Sequence, residues 1–241
     1  MTQIPNIITL LNLFCGCCAI VFTANGSLEY AAYAVFAGAI FDFFDGLVAR
    51  ALNAFSELGK QLDSLADVVT FGVVPGYFMY TFFVQTTFCE TGECWKAQYI
   101  PYYGFIITLM SAYRLAKFNI DTRQSDSFIG VPTPINALAI VSLIFIPVDT
   151  EVAKILFGNH YILVGITLLT SYLLVSEIPM LALKFKHYGL KGNEMRFVLI
   201  LLSLIMIIMV GLSAISLILL LYILLSLLNT KLNAPKNEIQ S

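Results

Sequence analysis

Charge is what this sequence lacks. Only 12% of its 241 residues are Asp, Glu, Lys or Arg, against about a quarter in a soluble domain. No polar stretch is long enough to build a separate water-soluble domain. No basic stripe with interleaved aromatics is present, so nucleic acid is not an expected partner. The first residues carry neither the basic start nor the small-residue cleavage site of a signal peptide, so the first apolar run is expected to be a retained helix. Histidine is scarce too, at 2 residues. His160 and His187 each lie near an expected membrane boundary with no partner at ligand spacing, and neither is expected to act in catalysis.

What fills the chain instead is apolar: 59% of residues are hydrophobic and the mean hydropathy is +0.86. The expected class is an all-α polytopic membrane protein. On a ruler of about 20 apolar residues per crossing, eight helices are expected, over 5–25, 28–51, 61–86, 99–119, 133–149, 160–181, 193–210 and 212–230. The last two could be one long tilted helix, with Gly211 as the only hinge between them. With an even count both termini share one side. Arg50, Lys60, Arg114, Lys117, Arg123, Lys184, Lys186, Lys191, Arg196, Lys231 and Lys236 fall there, and only Lys96 and Lys154 fall opposite. Basic residues concentrate in cytoplasmic loops, so both termini are expected in the cytoplasm, in a multi-pass protein of the cell (inner) membrane.

Of the 5 cysteines, Cys15, Cys17 and Cys18 lie in the first apolar run and read as small packing residues. Cys89 and Cys94 sit in a polar loop on the expected outer side. A disulfide is compatible with an oxidising compartment there, whereas a zinc site would lack two ligands.

Against this apolar background one stretch stands out. Asp42, Asp45, Asp63 and Asp67 occur within D-F-F-D-G-L-V-A-R and G-K-Q-L-D-S-L-A-D, and carboxylates in membrane helices are expensive. At about 100° per residue, Asp42, Asp45, Gly46, Ala49 and Arg50 share one face of the second helix. Gly59, Asp63 and Asp67 share one face of the third. If the faces meet, four carboxylates converge beside a slot that Gly46 and Ala49 leave open. Hard oxygen ligands without Cys or His suit Mg²⁺ or Mn²⁺, with Ca²⁺ also compatible. Four charges suit one ion or two, with two expected. Such ions meet phosphate or diphosphate, and Arg50 suits a phosphate oxygen. Two other readings exist. Carboxylates paired with Lys and Arg would need more cations than Arg50, Lys60 and Arg114. An ion pathway, as in an ion-coupled transporter, is not supported by any internal repeat or interrupted helix pair.

The pattern D-x2-D-G-x2-A-R-x8-G-x3-D-x3-D is complete here, in Asp42, Asp45, Gly46, Ala49, Arg50, Gly59, Asp63 and Asp67. In this the chain resembles the CDP-alcohol phosphotransferase family. The resemblance implies a six-helix membrane core, divalent metal held by the four aspartates, Asp67 as general base, and displacement of CMP from a CDP-linked substrate. It covers residues 1 to about 185, leaving 186–241 as a C-terminal transmembrane extension. It also implies a homodimer.

Further segments are similar to the bacterial and archaeal phosphatidylserine synthases of that family. They are the N-terminal Pro5, Asn6, Thr9, Asn12 and Gly16; then Phe71, Gly72 and Pro75; then Arg114, Ala116, Phe118 and Asn119; and F-I-G-V-P-T-P-I-N-A with Phe128, Gly130, Pro132, Pro134 and Ala137. That similarity implies CDP-diacylglycerol and L-serine as substrates, among membrane lipids. Other acceptors, such as glycerol 3-phosphate or inositol phosphate, would use the same chemistry. Asn6, Thr9 and Asn12 form a polar stripe on the first helix, open either to helix–helix hydrogen bonding or to the CDP group. Arg114 and Lys117 either snorkel to headgroups or bind the serine carboxylate, with Arg114 favoured for bidentate geometry. Asn119 joins them as a serine-pocket candidate. Pro132 and Pro134 either start a helix or stiffen a wall of the pocket. Ser176 is a weak polar candidate.

Overall fold

The long apolar runs form helices because their backbone groups have no water to bond to in a bilayer and must be satisfied within the segment. A computed structural model describes residues 3–86, 98–121, 128–181, 189 and 193–232. The Cys89–Cys94 pair, Lys96, Arg123, Lys184, Lys186, His187, Lys191 and Lys236 lie outside the described residues.

Helix α1 spans Gln3–Ala24, α2 spans Leu28–Ala51, and a long third helix, α3, spans Glu57–Thr86. Helix α4 is Ile106–Ile120, preceded by a 3₁₀ stretch at Ile100–Phe105. Helix α5 is Thr133–Val141, running into 3₁₀ turns at Ser142–Phe145. Then come α6 (Glu151–Gly158), α7 (His160–Val175), α8 (Glu194–Val210) and α9 (Ala214–Leu232). Two short strands, β1 (Phe128–Ile129) and β2 (Pro179–Met180), pair antiparallel, Phe128 opposite Met180 and Ile129 opposite Pro179.

The chain is thus a helical membrane protein, with fewer spans evident among the described residues than the eight expected. Among the described residues, 4 helices are long and apolar enough to cross a membrane, or 5 if α6 and α7, bent by 83°, count as one span. Proline accounts for several differences. The expected 160–181 helix ends at Val175, four residues before Pro179, whose ring and missing N–H cannot continue the i−4 hydrogen bonding, and the chain turns extended into β2. Pro147 likewise follows the end of the expected 133–149 helix, whose last turns are 3₁₀ up to Phe145. Helix α6 was not expected; the Thr150 side chain caps it, accepting from the Ala153 amide at 3.2 Å. At the other end of the chain, Glu194–Thr230 is one apolar stretch of 37 residues. Straight, it would run about 55 Å, far more than the ~30 Å hydrocarbon core. Gly211, with φ 72°, interrupts it, and α8 and α9 contact each other across the break.

Close packing of α1, α2 and α3 sets the frame for the site. Thr70 of α3 wedges between Gly16 of α1 and Gly38 of α2. A Cβ on Gly16 would lie 2.5 Å from Thr70 Oγ1, and one on Gly38 would lie 2.8 Å from Thr70 Cγ2. Thr70 also donates to the Asn12 carbonyl at 3.1 Å. A π-helical turn, Val68–Val73, interrupts α3 directly after Asp67; such bulges recur at functional sites. The main core lies around these helices, with Phe71, Phe78, Phe82, Phe83, Ile107 and Leu163 buried. A second core joins Val131, Leu173, Met180 and Leu181 to Leu199 of α8 and Leu219, Tyr222, Ile223 and Leu225 of α9.

Candidate active site

The functional candidates all fall at one end of the bundle, because each occupies the corresponding end of its helix. They come from the start of α1, the end of α2, the start of α3, the end of α4 and the start of α5. Helices α2 and α3 are joined by a short turn in which Asn53 takes φ 50°, a conformation Asn tolerates better than most residues. Its neighbours close the helix end, with the Ala54 amide donating to the Ala49 carbonyl at 2.9 Å. Ser56 caps α3, its hydroxyl accepting from the Gly59 amide at 3.0 Å. This tight connection turns the two aspartate-bearing faces toward each other.

Asp42, Asp63 and Asp67 bring carboxylate oxygens within 4.8 Å of one another. Pairs of like charges at that separation repel by roughly 3 kcal/mol at an effective dielectric constant of ~20, so the cluster calls for a cation. Three convergent carboxylates and no nitrogen or sulfur donor fit a hard divalent ion. Of the four carboxylates expected to converge, three meet at this spacing. Asp45 stands outside this group, its Oδ2 accepting from the Thr9 hydroxyl at 2.6 Å. At residue 42 the helix face points to the α3 carboxylates, and three residues on it has rotated toward α1.

Two cavities flank the cluster. The first, of ≈ 210 Å³, is lined by Pro5, Asn6 and Thr9 of α1, by Asp45, Gly46 and Ala49 of α2, and by Gly59, Lys60 and Asp63 of α3, with Ala54 to Ser56 between. Asn6 and Thr9 of the expected polar stripe are brought together here with Gly46, Ala49 and Gly59 of the signature, all five of them implied by the family resemblance to bind the CDP-linked substrate. Asn6 lies so close over Gly59 that a Cβ there would be 3.0 Å from its Oδ1. Arg50 is exposed and does not line the cavity; its guanidinium folds back beside Gly46. Asn12 departs from the expected stripe. It is fully buried and its Nδ2 donates to Asp67 Oδ1 at 3.1 Å. The stripe therefore splits, with Asn6 and Thr9 at the cavity and Asn12 fixing Asp67.

The second cavity, of ≈ 230 Å³, is lined by Lys60, Asp63, Ser64 and Asp67 of α3, by Arg114, Leu115, Phe118 and Asn119 of α4, and by Pro132, Thr133 and Pro134 at the start of α5. Arg114, Asn119, Pro132 and Pro134, all expected at the serine pocket, meet here. Arg114 is buried; its Nη1 donates to the Thr133 hydroxyl at 3.3 Å, and its Nε has no protein partner among the described residues. Lys117 is not in the cavity. It points away and pairs with Glu177, Nζ to Oε1 at 3.4 Å. One helical turn separates it from Arg114, but the offset of about 60° puts the two on different surfaces. Ser176 is buried and its hydroxyl donates to the Leu173 carbonyl at 3.0 Å, away from either cavity lining.

Lys60, Ser64 and Thr133 line the second cavity but were not among the expected substrate-binding residues. Lys60 and Asp63 border both cavities. Lys60 Nζ donates to the Asn119 carbonyl at 2.8 Å, and Asn119 Nδ2 donates to Ser64 Oγ at 2.7 Å. The same helical angles that align Asp63 with Asp67 carry Lys60 and Ser64 onto that face, so the signal was present. Thr133 was hidden between two prolines that drew attention to backbone stiffness instead of its hydroxyl.

Comparison with known proteins follows the same residues. The family model described as CDP-alcohol phosphatidyltransferase matches residues 2–173. The chain is similar to a CDP-diacylglycerol–serine O-phosphatidyltransferase of Bacillus subtilis (strain 168), 35% identical over 192 residues, covering 78% of this chain and 92% of that protein. A protein of the same description from Helicobacter pylori (strain J99) is 33% identical over 201 residues, covering 82% and 78%. An archaetidylserine synthase of Methanothermobacter thermautotrophicus is 31% identical over 141 residues, covering 58% and 56%. With the aspartate signature complete, its carboxylates gathered at one end of the bundle and the family model spanning most of the chain, this protein belongs to the CDP-alcohol phosphatidyltransferase family.

Proposed function

We propose that the protein transfers the phosphatidyl group of CDP-diacylglycerol to the hydroxyl of L-serine, giving phosphatidylserine and CMP. The observation that carries this reading is the pair of cavities meeting at Asp63 and Lys60, on either side of the carboxylate cluster. A two-substrate displacement needs that layout. The cavity between α1, α2 and α3 suits the CDP end of the lipid, with small Gly46, Ala49 and Gly59 leaving room for the diphosphate and Arg50 at its edge. The second cavity suits a small zwitterion, with Arg114 facing a carboxylate. The names of the relatives point to the same substrates.

Asp42, Asp63 and Asp67, with Asp45 beside them, would hold Mg²⁺ or Mn²⁺, in our reading two ions, supplying the positive charge that a diphosphate requires. Asp67 borders the acceptor cavity and serves as general base for the serine hydroxyl. The serine oxygen forms a bond to the phosphorus that carries diacylglycerol, the bond from that phosphorus to CMP breaks, and CMP leaves with the electron pair. Asn12 holds Asp67 from the far side, through Oδ1. The 11-to-2 distribution of basic residues supports a cytoplasmic site and cytoplasmic termini in an inner-membrane protein of eight passes. We further assign residues 1–185 to the catalytic membrane core and 186–241 to a C-terminal extension, and expect a homodimer.

The test is purified protein with CDP-diacylglycerol, Mg²⁺ or Mn²⁺ and a panel of labelled acceptors. Serine-dependent CMP release is expected. Release only with glycerol 3-phosphate or inositol phosphate refutes the serine assignment. In the same assay Asp67→Asn should lose turnover while still binding CDP-lipid; unchanged turnover removes Asp67 from the role of base.

A further inference from the structure

The C-terminal helix α9 lies beyond the residues matched by the family model, yet its buried polar groups reach the acceptor side of the molecule. The Tyr222 hydroxyl donates to the Leu181 carbonyl at 3.0 Å. The Leu181 amide donates to Ser226 Oγ at 3.0 Å. Both side chains are almost fully buried, with 2% of Tyr222 and 1% of Ser226 exposed. One turn of α9 therefore grips both polar groups of a single peptide residue. In an apolar interior neither group has water to fall back on, so the pairing is strongly specified.

Leu181 directly follows β2 in the extended segment after α7, and that segment holds the acceptor wall. Ile129 pairs with Pro179 and Phe128 with Met180. The Gly130 amide donates to the Ile178 carbonyl at 2.9 Å, and the Val131 amide to the Leu173 carbonyl at 3.0 Å. Gly130 has φ 72°, and a Cβ there would lie 2.8 Å from the carbonyl oxygens of both Leu174 and Ser176. The next residues are Pro132, Thr133 and Pro134, which line the acceptor cavity, and Thr133 accepts from Arg114. Val131, Met180, Leu181 and Tyr222 share one apolar core. Two strands, a glycine without room for a side chain, and a proline pair connect α9 to Arg114.

We infer that Tyr222 and Ser226 are positioning residues for the acceptor pocket: by clamping Leu181 they fix the 128–134 wall, and through Thr133 they set the orientation of Arg114. The C-terminal helix is then part of the acceptor site. This rests on the proposed reaction, in which Arg114 meets the acceptor carboxylate, and it assigns acceptor affinity specifically to the clamp.

The experiment uses full-length protein and measures kcat, KM for the acceptor and KM for CDP-diacylglycerol separately. Tyr222→Phe removes only the hydroxyl. Loss of one buried hydrogen bond should raise the serine KM about fivefold, leaving KM for CDP-diacylglycerol within about twofold of the starting value. Ser226→Ala should do the same, and the double variant should exceed neither by much, because both act on one residue. If Tyr222→Phe does not accumulate in membranes, Ser226→Ala carries the test alone. An unchanged serine KM in the variant, or equal rises in both KM values, overturns the inference. Should the unaltered protein release CMP with a different alcohol, the serine reading fails by itself, and the same split measured with that alcohol still decides the clamp.

Discussion

Replacing Gly38 by Ala tests whether the site depends on the close approach of α1, α2 and α3. The added Cβ would stand 2.8 Å from Thr70 Cγ2 and 3.0 Å from Asn12 Oδ1. Carbon atoms prefer about 3.5–4.0 Å, so α3 or α2 must give by most of an ångström. Overpacking of this kind costs about 1–3 kcal/mol. The strain falls on two residues tied to the carboxylates. Thr70 lies within one turn of Asp67 on α3, and Asn12 donates to Asp67 directly. Misplacement of a reacting group by about 1 Å can cost ~10²-fold in rate, so Gly38→Ala should lower kcat by about tenfold to a hundredfold and lower the apparent melting temperature in detergent. Thr70→Ser supplies the control. It removes Cγ2 and keeps the hydroxyl that donates to the Asn12 carbonyl at 3.1 Å. Alone it should cost less than about 1.5 kcal/mol; combined with Gly38→Ala it should restore most of the lost activity. The assay is CMP release with a thermal unfolding scan on all four proteins of the cycle. Full activity in Gly38→Ala, or a double variant no better than the single, would refute the wedge.

Three further outcomes are expected. Arg114→Lys should raise the acceptor KM about tenfold or more, since a point charge cannot replace a planar guanidinium at a bidentate site; Lys117→Ala, whose exposed pair with Glu177 contributes at most about 1 kcal/mol, should leave it nearly unchanged. Thr9→Val removes the 2.6 Å bond to Asp45; a hydrogen bond to a charged group contributes about 1.5–3 kcal/mol, so KM for CDP-diacylglycerol should rise at least tenfold with the acceptor KM unaffected. Chelation with EDTA should abolish CMP release, and Mg²⁺ or Mn²⁺ should restore it while Zn²⁺ should not, because the carboxylates gathered at Asp42, Asp63 and Asp67 are hard oxygen donors.

The sequence alone determined the family of the protein and named most of the residues that line the candidate site. Asp42, Asp63 and Asp67 were legible because ionisable groups in apolar helices are costly and their spacing admits only one helical face. Gly46, Ala49 and Gly59 were legible as missing bulk beside them. Proline explains why some helix ends were not: the helical turns stop at Val175 and Phe145, ahead of Pro179 and Pro147, and an apolar count passes over both. Tertiary structure decided what spacing cannot. It turned Asp45 toward Thr9 and Asn12 toward Asp67, because those pairings depend on how far α1 sinks between α2 and α3, and that depth is set by Gly16 and Gly38 against Thr70. It separated Arg114 from Lys117, neighbours in sequence but divided by helix rotation. And it brought Tyr222 to Leu181, 41 residues away. A contact at that range has no periodicity to announce it; it exists only because the chain between them folds back.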